Sequence, residues 1–310
     1  MKTVLLLFCI ILCFTARSQS RLIDSIITKE SLVFSLSTLA HDSMRGRYTA
    51  MPETKHAADF IAERFKKAGL MELEGADGFF DYYPLKYQLG NDTTLVQAVN
   101  VVAALKGKES PDTIVIFCAH YDHIGIKRPL ENADKDSIFN GANDNASGVA
   151  LLIELAKYYA AIKLNTYTLV FIAFSGEELG LLGSAHMASS IDQSYIHAVL
   201  NFDMIGRPLN SFTKKCMVIA ERPKPVIKKL NAQLYPKNGF FMDDMYPMEN
   251  MFTRSDHYSF TKVANRIFFT ATSPIDKYYH TVKDEVSTID FNFLLTATKN
   301  IAHCCRIFLQ

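Results

Sequence analysis

Apolar residues fall along this chain in two rhythms. Between residues 27 and 70 they recur at helical spacing, and within 53–70 Ala57, Ile61, Phe65 and Leu70 share one face with Gly69 at the stop, which predicts an amphipathic helix against a core. Beyond that the pattern turns into short uninterrupted runs over 96–105, 113–119, 168–174, 198–202, 217–220 and 266–272. Runs with no polar alternation suit strands covered on both faces. Between the second and third of them, Val149, Leu152, Ile153, Ala156 and Tyr159 return to helical spacing, and further helices are predicted over 179–189 and 291–308. Helices alternating with buried strands predict a three-layer α/β domain.

The first residues obey a different rule. Lys2 precedes an apolar run over 4–14, and Ala16-Arg17-Ser18 puts small residues at both positions a signal peptidase reads. The run is well short of the roughly 20 residues that span a bilayer. The pattern predicts a cleaved export signal over 1–18, a mature chain with no membrane anchor, and a periplasmic or extracellular location. Cys9 and Cys13 follow Phe8 and Leu12, not the small residue that lipidation requires. With no repeat, low-complexity linker or composition break after the signal, residues 19–310 read as one domain.

Composition narrows the function classes. The chain has 310 residues, 49% of them hydrophobic, which excludes disorder and leaves material for a large core. Its 33 Lys and Arg balance 32 Asp and Glu, so no field draws in a polyanion and no nucleic-acid partner is expected. Cys118, Cys216, Cys304 and Cys305 have no zinc-site spacing, and export permits a bridge among them without requiring one. Cys118 lies inside a strand-like run and reads as a small core residue.

Candidate chemistry gathers where the runs end. His120 and Asp122 follow the run over 113–119, at the carboxyl end where an open α/β sheet presents side chains to a crevice. Gly141-Ala142-Asn143-Asp144-Asn145-Ala146-Ser147-Gly148 leads into a helix; Asn145 or Ser147 suffices to cap it, which frees Asp144. Ser175-Gly176-Glu177-Glu178-Leu179-Gly180 follows the run over 168–174, and adjacent acids cannot share a direction, so one can bind metal while the other holds water. Asn201-Phe202-Asp203-Met204-Ile205-Gly206 repeats the pattern, and Tyr279-His280 adds a loop histidine. Singly, each is an ordinary capping turn, solvated pair or loop residue. Converging, Asp144, Glu177, Glu178 and Asp203 would repel one another, and a divalent metal removes that conflict. Imidazole and carboxylate without thiolate suit zinc, and the ligands outnumber those of one catalytic zinc, so two ions sharing a carboxylate fit better.

In order and combination these motifs, with Ala119-His120-Tyr121-Asp122-His123-Ile124-Gly125 and Ser255-Asp256-His257, resemble the secreted M28 family of zinc metallopeptidases across nearly all of the expected mature chain. The resemblance implies a zinc-exopeptidase-like domain with a central mixed, mostly parallel sheet flanked by helices. It implies two Zn2+ ions bridged by Asp144, one completed by Glu178 and His280 and the other by His120 and Asp203. Glu177 would be the general base, Asp122 would orient His120, and His257 would be wall or support. The implied reaction removes amino-terminal residues from a peptide with a free amino terminus. One departure stands out: some relatives carry an oxyanion-steadying tyrosine three residues before the Ser-Asp-His motif, where this chain has Phe252, leaving Tyr279, Tyr246, Tyr258 or the metal itself for the task.

Two other readings share the fold. Glutaminyl cyclases keep most ligand positions but bind one zinc and line their pocket with Trp; the absence of Trp and the run Asn145-Ala146-Ser147-Gly148 argue against one. A catalytically silent binding protein is opposed by the complete ligand set. Residues 208–254 are expected as loops walling the pocket, with Met242, Met245, Met248 and Met251 serving as a soft lining or as packing.

Overall fold

The computed structural model describes residues 22–89, 92–126, 136–208, 214–234, 239–272 and 274–310; the expected export signal over 1–18 lies outside them. In chain order the strands are β1 (Phe80–Leu89), β2 (Asp92–Leu105), β3 (Ser110–His120), β4 (Gly125–Ile126), β5 (Ile138–Phe139), β6 (Tyr167–Phe174), β7 (Ile196–Phe202), β8 (Cys216–Ala220), β9 (Phe241–Met242) and β10 (Arg266–Thr270). The helices are α1 (Lys29–Leu39), α2 (Thr54–Lys67), α3 (Ser147–Ile162), α4 (Leu182–Ser190), α5 (Pro223–Gln233) and α6 (Phe291–Cys304).

Eight strands form one sheet in the order β1-β2-β6-β3-β7-β10-β8-β9, while β4 and β5 form a small separate pair. The pairs β3–β6, β3–β7, β7–β10 and β8–β9 are parallel, and β1–β2, β2–β6 and β8–β10 are antiparallel, giving the mixed, mostly parallel sheet expected. The uninterrupted runs have a direct physical cause. Val115, Phe117 and Ala119 join the core under α1, α2, α3 and α6, whereas Ile116 and Cys118 point the other way, toward Met187 and Ala188 of α4 and Phe260. From Val115 to Ala119 both faces of β3 are covered, so no position there can be polar without cost.

Register then sets the site. Ala119 pairs with Ala173, His120 with Phe174 and Cys118 with Asn201, so β3, β6 and β7 end level with one another. The chain leaves β3 through α3 to β6 on one side and returns through α4 to β7 on the other, so β3 stands at the point where the strand order reverses. Crevices open at such switch points.

Three stretches differ from the sequence reading. The helical region over 27–70 is two helices, α1 and α2, broken by a 3-10 segment (Asp42–Arg47) in which Arg45 and Gly46 have positive φ. β1 is an additional edge strand: Tyr83 and Leu85 are buried while Tyr82, Pro84 and Lys86 face solvent, a period-two pattern rather than an apolar run, with a proline that an edge tolerates. The stretch 208–254, expected as loops, contains α5, in which Leu230 is buried and Val226 and Ile227 are half-buried against the core. Cys118, Cys216, Cys304 and Cys305 are buried free thiols, and burial pushes the Cys118 thiol well up. Among the described residues no helix is long and apolar enough to cross a membrane.

Candidate metal centre

His120 closes β3 with its ring almost wholly buried. Its Nε2 lies 3.4 Å from Asp144 Oδ1 and 3.5 Å from Asp203 Oδ1, and its Nδ1 lies 3.7 Å from Asp122 Oδ1. Asp203, directly after β7, accepts a hydrogen bond on Oδ2 from Ser255 Oγ at 2.8 Å, while its Oδ1 is buried without a partner. Asp144 sits in the kinked turn (Ala142–Ala146) before α3. There Asn145 Oδ1 caps the helix by accepting from Gly148 N at 2.9 Å, so the Asp144 carboxylate is indeed left free of that duty. Asp144 N and Asn143 N donate instead to the buried Asp284 carboxylate at 2.9–3.1 Å.

The second oxygen of Asp144 looks toward other partners. His280 Nε2 is 3.3 Å from Asp144 Oδ2 and 3.1 Å from Glu178 Oε2, again without a hydrogen-bond partner. The turn bearing Glu177 and Glu178 requires Gly176, at φ +71°, because a Cβ there would meet Tyr83 Oη at 2.7 Å. Asp122 fastens that turn: its Oδ1 accepts from Glu177 N at 3.2 Å, and its Oδ2 from Glu178 N at 3.4 Å and Thr49 Oγ1 at 2.9 Å. Asp122 thus meets the His120 ring with its backbone carbonyl, 3.3 Å from Nδ1, and holds the Glu177-Glu178 backbone with its carboxylate.

These separations test whether metal fits. Ligands bound at about 2.1 Å around a tetrahedral ion lie roughly 3.4 Å from one another. The His120 contacts, 3.4 and 3.5 Å, and the His280 contacts, 3.3 and 3.1 Å, match that spacing, and unpartnered buried atoms of Asp203 and His280 face the same points. His120, Asp144 and Asp203 bring ligand atoms within 4.8 Å of one another. Electrostatics agree. Burial opposes charge on His280, yet Asp144 and Glu178 hold its pKa up at about 10. Burial likewise opposes charge on Asp144, but His120 and His280 pull its pKa far below the carboxylate range. The acids demand positive charge at these points, which protons on imidazole or a divalent ion can supply.

Glu177 shares this cleft but stands apart electrostatically. Burial raises its pKa well above the ordinary value; His120 offsets part of the rise, and Asp256, Glu178 and Asp203 add to it. Of the tyrosines considered for the missing donor, Tyr279 lines the cleft and stacks on His280 with centroids 3.8 Å apart. Tyr258 instead packs edge-on against Phe252, and Tyr246 lies outside the cleft lining. Phe252 and Phe268 flank His257, whose ring nitrogens are buried and unpartnered and whose pKa burial pushes down to about 3, consistent with a wall rather than a ligand. Of the four methionines, Met251 lines the cleft while Met248 is 93% exposed, so the soft-lining reading holds for one of them.

Three residues of this region escaped the sequence reading. His123 lies in the stretch over 119–125, where the expected parts fall to His120 and Asp122. Asp284, held by Arg207 Nη1 at 3.1 Å, anchors the Asp144 turn. Arg47 is buried, and its guanidinium donates to the carbonyls of Tyr121, Leu39, Asn140 and Gly141 at 2.6–3.1 Å. Burying a guanidinium costs several kcal/mol unless its donors are met, and these bonds meet them while pinning the segments around His120 and Asp144 together. No local pattern marks such a residue.

Comparison with known proteins follows the same lines. The model of Peptidase family M28 matches residues 100–305. A probable zinc metalloprotease of Pyricularia oryzae is 41% identical over 122 residues, covering 39% of this chain and 23% of that protein. A probable leucine aminopeptidase of Arthroderma otae is 25% identical over 283 residues, covering 88% of this chain and 70% of that protein. The matched stretch spans about a quarter of the length of the first curated relatives (23%, 28% and 26%). Among solved structures, the LapA aminopeptidase of Legionella pneumophila superposes with a TM-score of 0.68 at 18% identity, covering 95% of this chain and 75% of that one. The glutaminyl cyclase of Porphyromonas gingivalis does so with 0.66 at 16%, covering 91% and 99%. Both show the fold.

Proposed function

The chain belongs to peptidase family M28, and on that premise we propose that it is an exported zinc-dependent exopeptidase that removes amino-terminal residues from peptides. The observation that carries the reading is the division of one carboxylate between two ligand sets, Asp144 Oδ1 facing His120 and Oδ2 facing His280. One Zn2+ would be held by His120, Asp144 and Asp203, the other by Asp144, Glu178 and His280. When bound, the ions make a water acidic and polarise the scissile carbonyl.

The chain's own groups do the rest. Glu177 takes the proton of the attacking water and returns it to the leaving amine, a part suited to a carboxyl whose burial raises its proton affinity. Asp122 holds the base in place through Glu177 N. The surplus of carboxylates around the cleft favours a substrate that brings its own cation, a free amino terminus, and this supports trimming one residue at a time. Tyr279 is the phenol positioned on the cleft wall to steady the developing oxyanion.

The test combines metal analysis of the purified protein with a panel of aminoacyl anilides, with and without chelator. About two zinc equivalents are expected, as a shared-carboxylate pair requires, with hydrolysis that chelation abolishes and zinc restores. Hydrolysis indifferent to chelator would overturn the proposal. A product that is a cyclised Gln-initiated peptide, with no anilide cleaved, would assign the chain to the cyclase reading instead.

A further inference from the structure

One buried imidazole of the centre has no part in this scheme. His123 follows Asp122 on the turn after β3, is fully buried, and is anchored by its own N–H donating to Arg47 O at 3.2 Å. Its ring is confined: a Cβ on Gly141 would come within 2.6 Å of Cγ and Cδ2, and His280 packs edge-on with centroids 5.8 Å apart. His123 Nδ1 lies 2.8 Å from Glu178 Oε1. An ionised carboxylate only accepts, so Nδ1 carries the proton and donates.

His123 could instead be a ligand, since its Nδ1 groups with Asp144 and Glu178 oxygens within 4.8 Å. The distances decide between the two. At 2.8 Å from Glu178 Oε1 it is closer than two ligands of one ion, about 3.4 Å apart, and at 3.9 Å from Asp144 Oδ2 it is farther. His280, with both separations near that value, fits the ligand place.

We infer that His123 is a positioning residue for Glu178: its Nδ1–H occupies Oε1, so that Oε2 alone turns toward His280 and Asp144 and the carboxylate serves as a one-oxygen ligand. The inference rests on the metal reading above and concerns only the half of the centre that Glu178 and His280 build. Partners that orient ligands in this way are typically worth about 10–100-fold in metal affinity.

The test titrates metal-free full-length protein with Zn2+ against a chelating dye and records the absorption spectrum of the Co2+-loaded form. His123→Ala is expected to leave the tighter equivalent untouched and weaken the other about 10–100-fold, while the fully loaded Co2+ spectrum keeps its wild-type intensity because no ligand is lost. His123→Asn, whose amide nitrogen reproduces the Nδ1 donor, is expected to recover most of the affinity; His123→Gln, whose amide reaches one bond farther, is not. The Asn and Gln pair decides the matter even if the alanine variant does not fold. Equal affinity in Asn and Gln variants, wild-type affinity in the Ala variant, or a Co2+ spectrum altered as in His280→Ala would each overturn the inference. Absence of metal binding by the wild-type protein would overturn the functional proposal instead, so the two failures are distinguishable.

Discussion

The two sides of the Asp144 carboxylate are built differently. On one side, His120 and Asp203 stand at the ends of β3 and β7, central strands covered on both faces, with side chains 1% and 10% exposed. On the other, Glu178 sits in a glycine turn and His280 in a loop at φ 54°, with its side chain 35% exposed. The strand-rooted half is fixed by the same core that folds the protein, so its geometry costs nothing extra on binding. The loop-rooted half depends on local props, namely His123, Asp122 and Gly176. The first half should bind more tightly and the second should be the one that exchanges.

The strongest way to break this contrast is to remove what the halves share. Asp144→Asn is expected to drop zinc content from about two equivalents to below about one and to abolish turnover, because the amide leaves one ligand set an NH2 that cannot bind metal, leaves the other a neutral oxygen, and removes the charge both share; metal analysis and anilide hydrolysis read it. Glu177→Gln should cost about 10²–10⁴-fold in turnover with both ions retained, since the base lies outside either ligand set. Retained activity in that variant would remove Glu177 from the mechanism. A matched pair, His120→Ala and His280→Ala, sharpens the contrast directly: the first should lower thermal stability as well as metal content by leaving a buried hole among acids, and the second should remove the weaker equivalent with a smaller fall in unfolding temperature, because the His280 side chain is 35% exposed and water fills its place. Equal losses would show the halves to be alike.

The smallest effect concerns pH. In the metal-free protein His280 titrates at about 10 against an ordinary 6.5, so the proton it holds in the folded state contributes stability that is full below about 6.5 and lost as pH rises through about 10. Denaturant titrations in chelator should show that decline, and the zinc-loaded protein or His280→Asn should show less of it.

What the sequence revealed follows the same division. β3, β6 and β7 were legible as apolar runs because burial on both faces of their carboxyl halves leaves little room for polar positions, and the residues at their ends, His120, Glu177, Glu178 and Asp203, were legible with them. β1 escaped because an edge strand with Pro84 alternates instead of running apolar, and α5 because its apolar face is only Val226, Ile227 and Leu230 set among prolines and lysines. Asp284 and Arg47 escaped for a deeper reason. Their parts consist of contacts made about 140 and 74–94 residues away along the chain, and neither periodicity nor spacing carries that information. His123 was in view and went unassigned, because one histidine of a His-x-Asp-His motif looks like the other until the ring nitrogens have distances.

The short segment from His280 to Asp284 grips the centre at both ends, through the imidazole at one and through the carboxylate under the Asp144 backbone at the other. Its length is therefore a gauge. Adding or deleting a single amino acid between those positions would pull one contact out of register whatever the new side chain, so tolerated variation in loop size should fall outside this interval, and an engineered insertion within it should disarm the protein without disturbing its sheet.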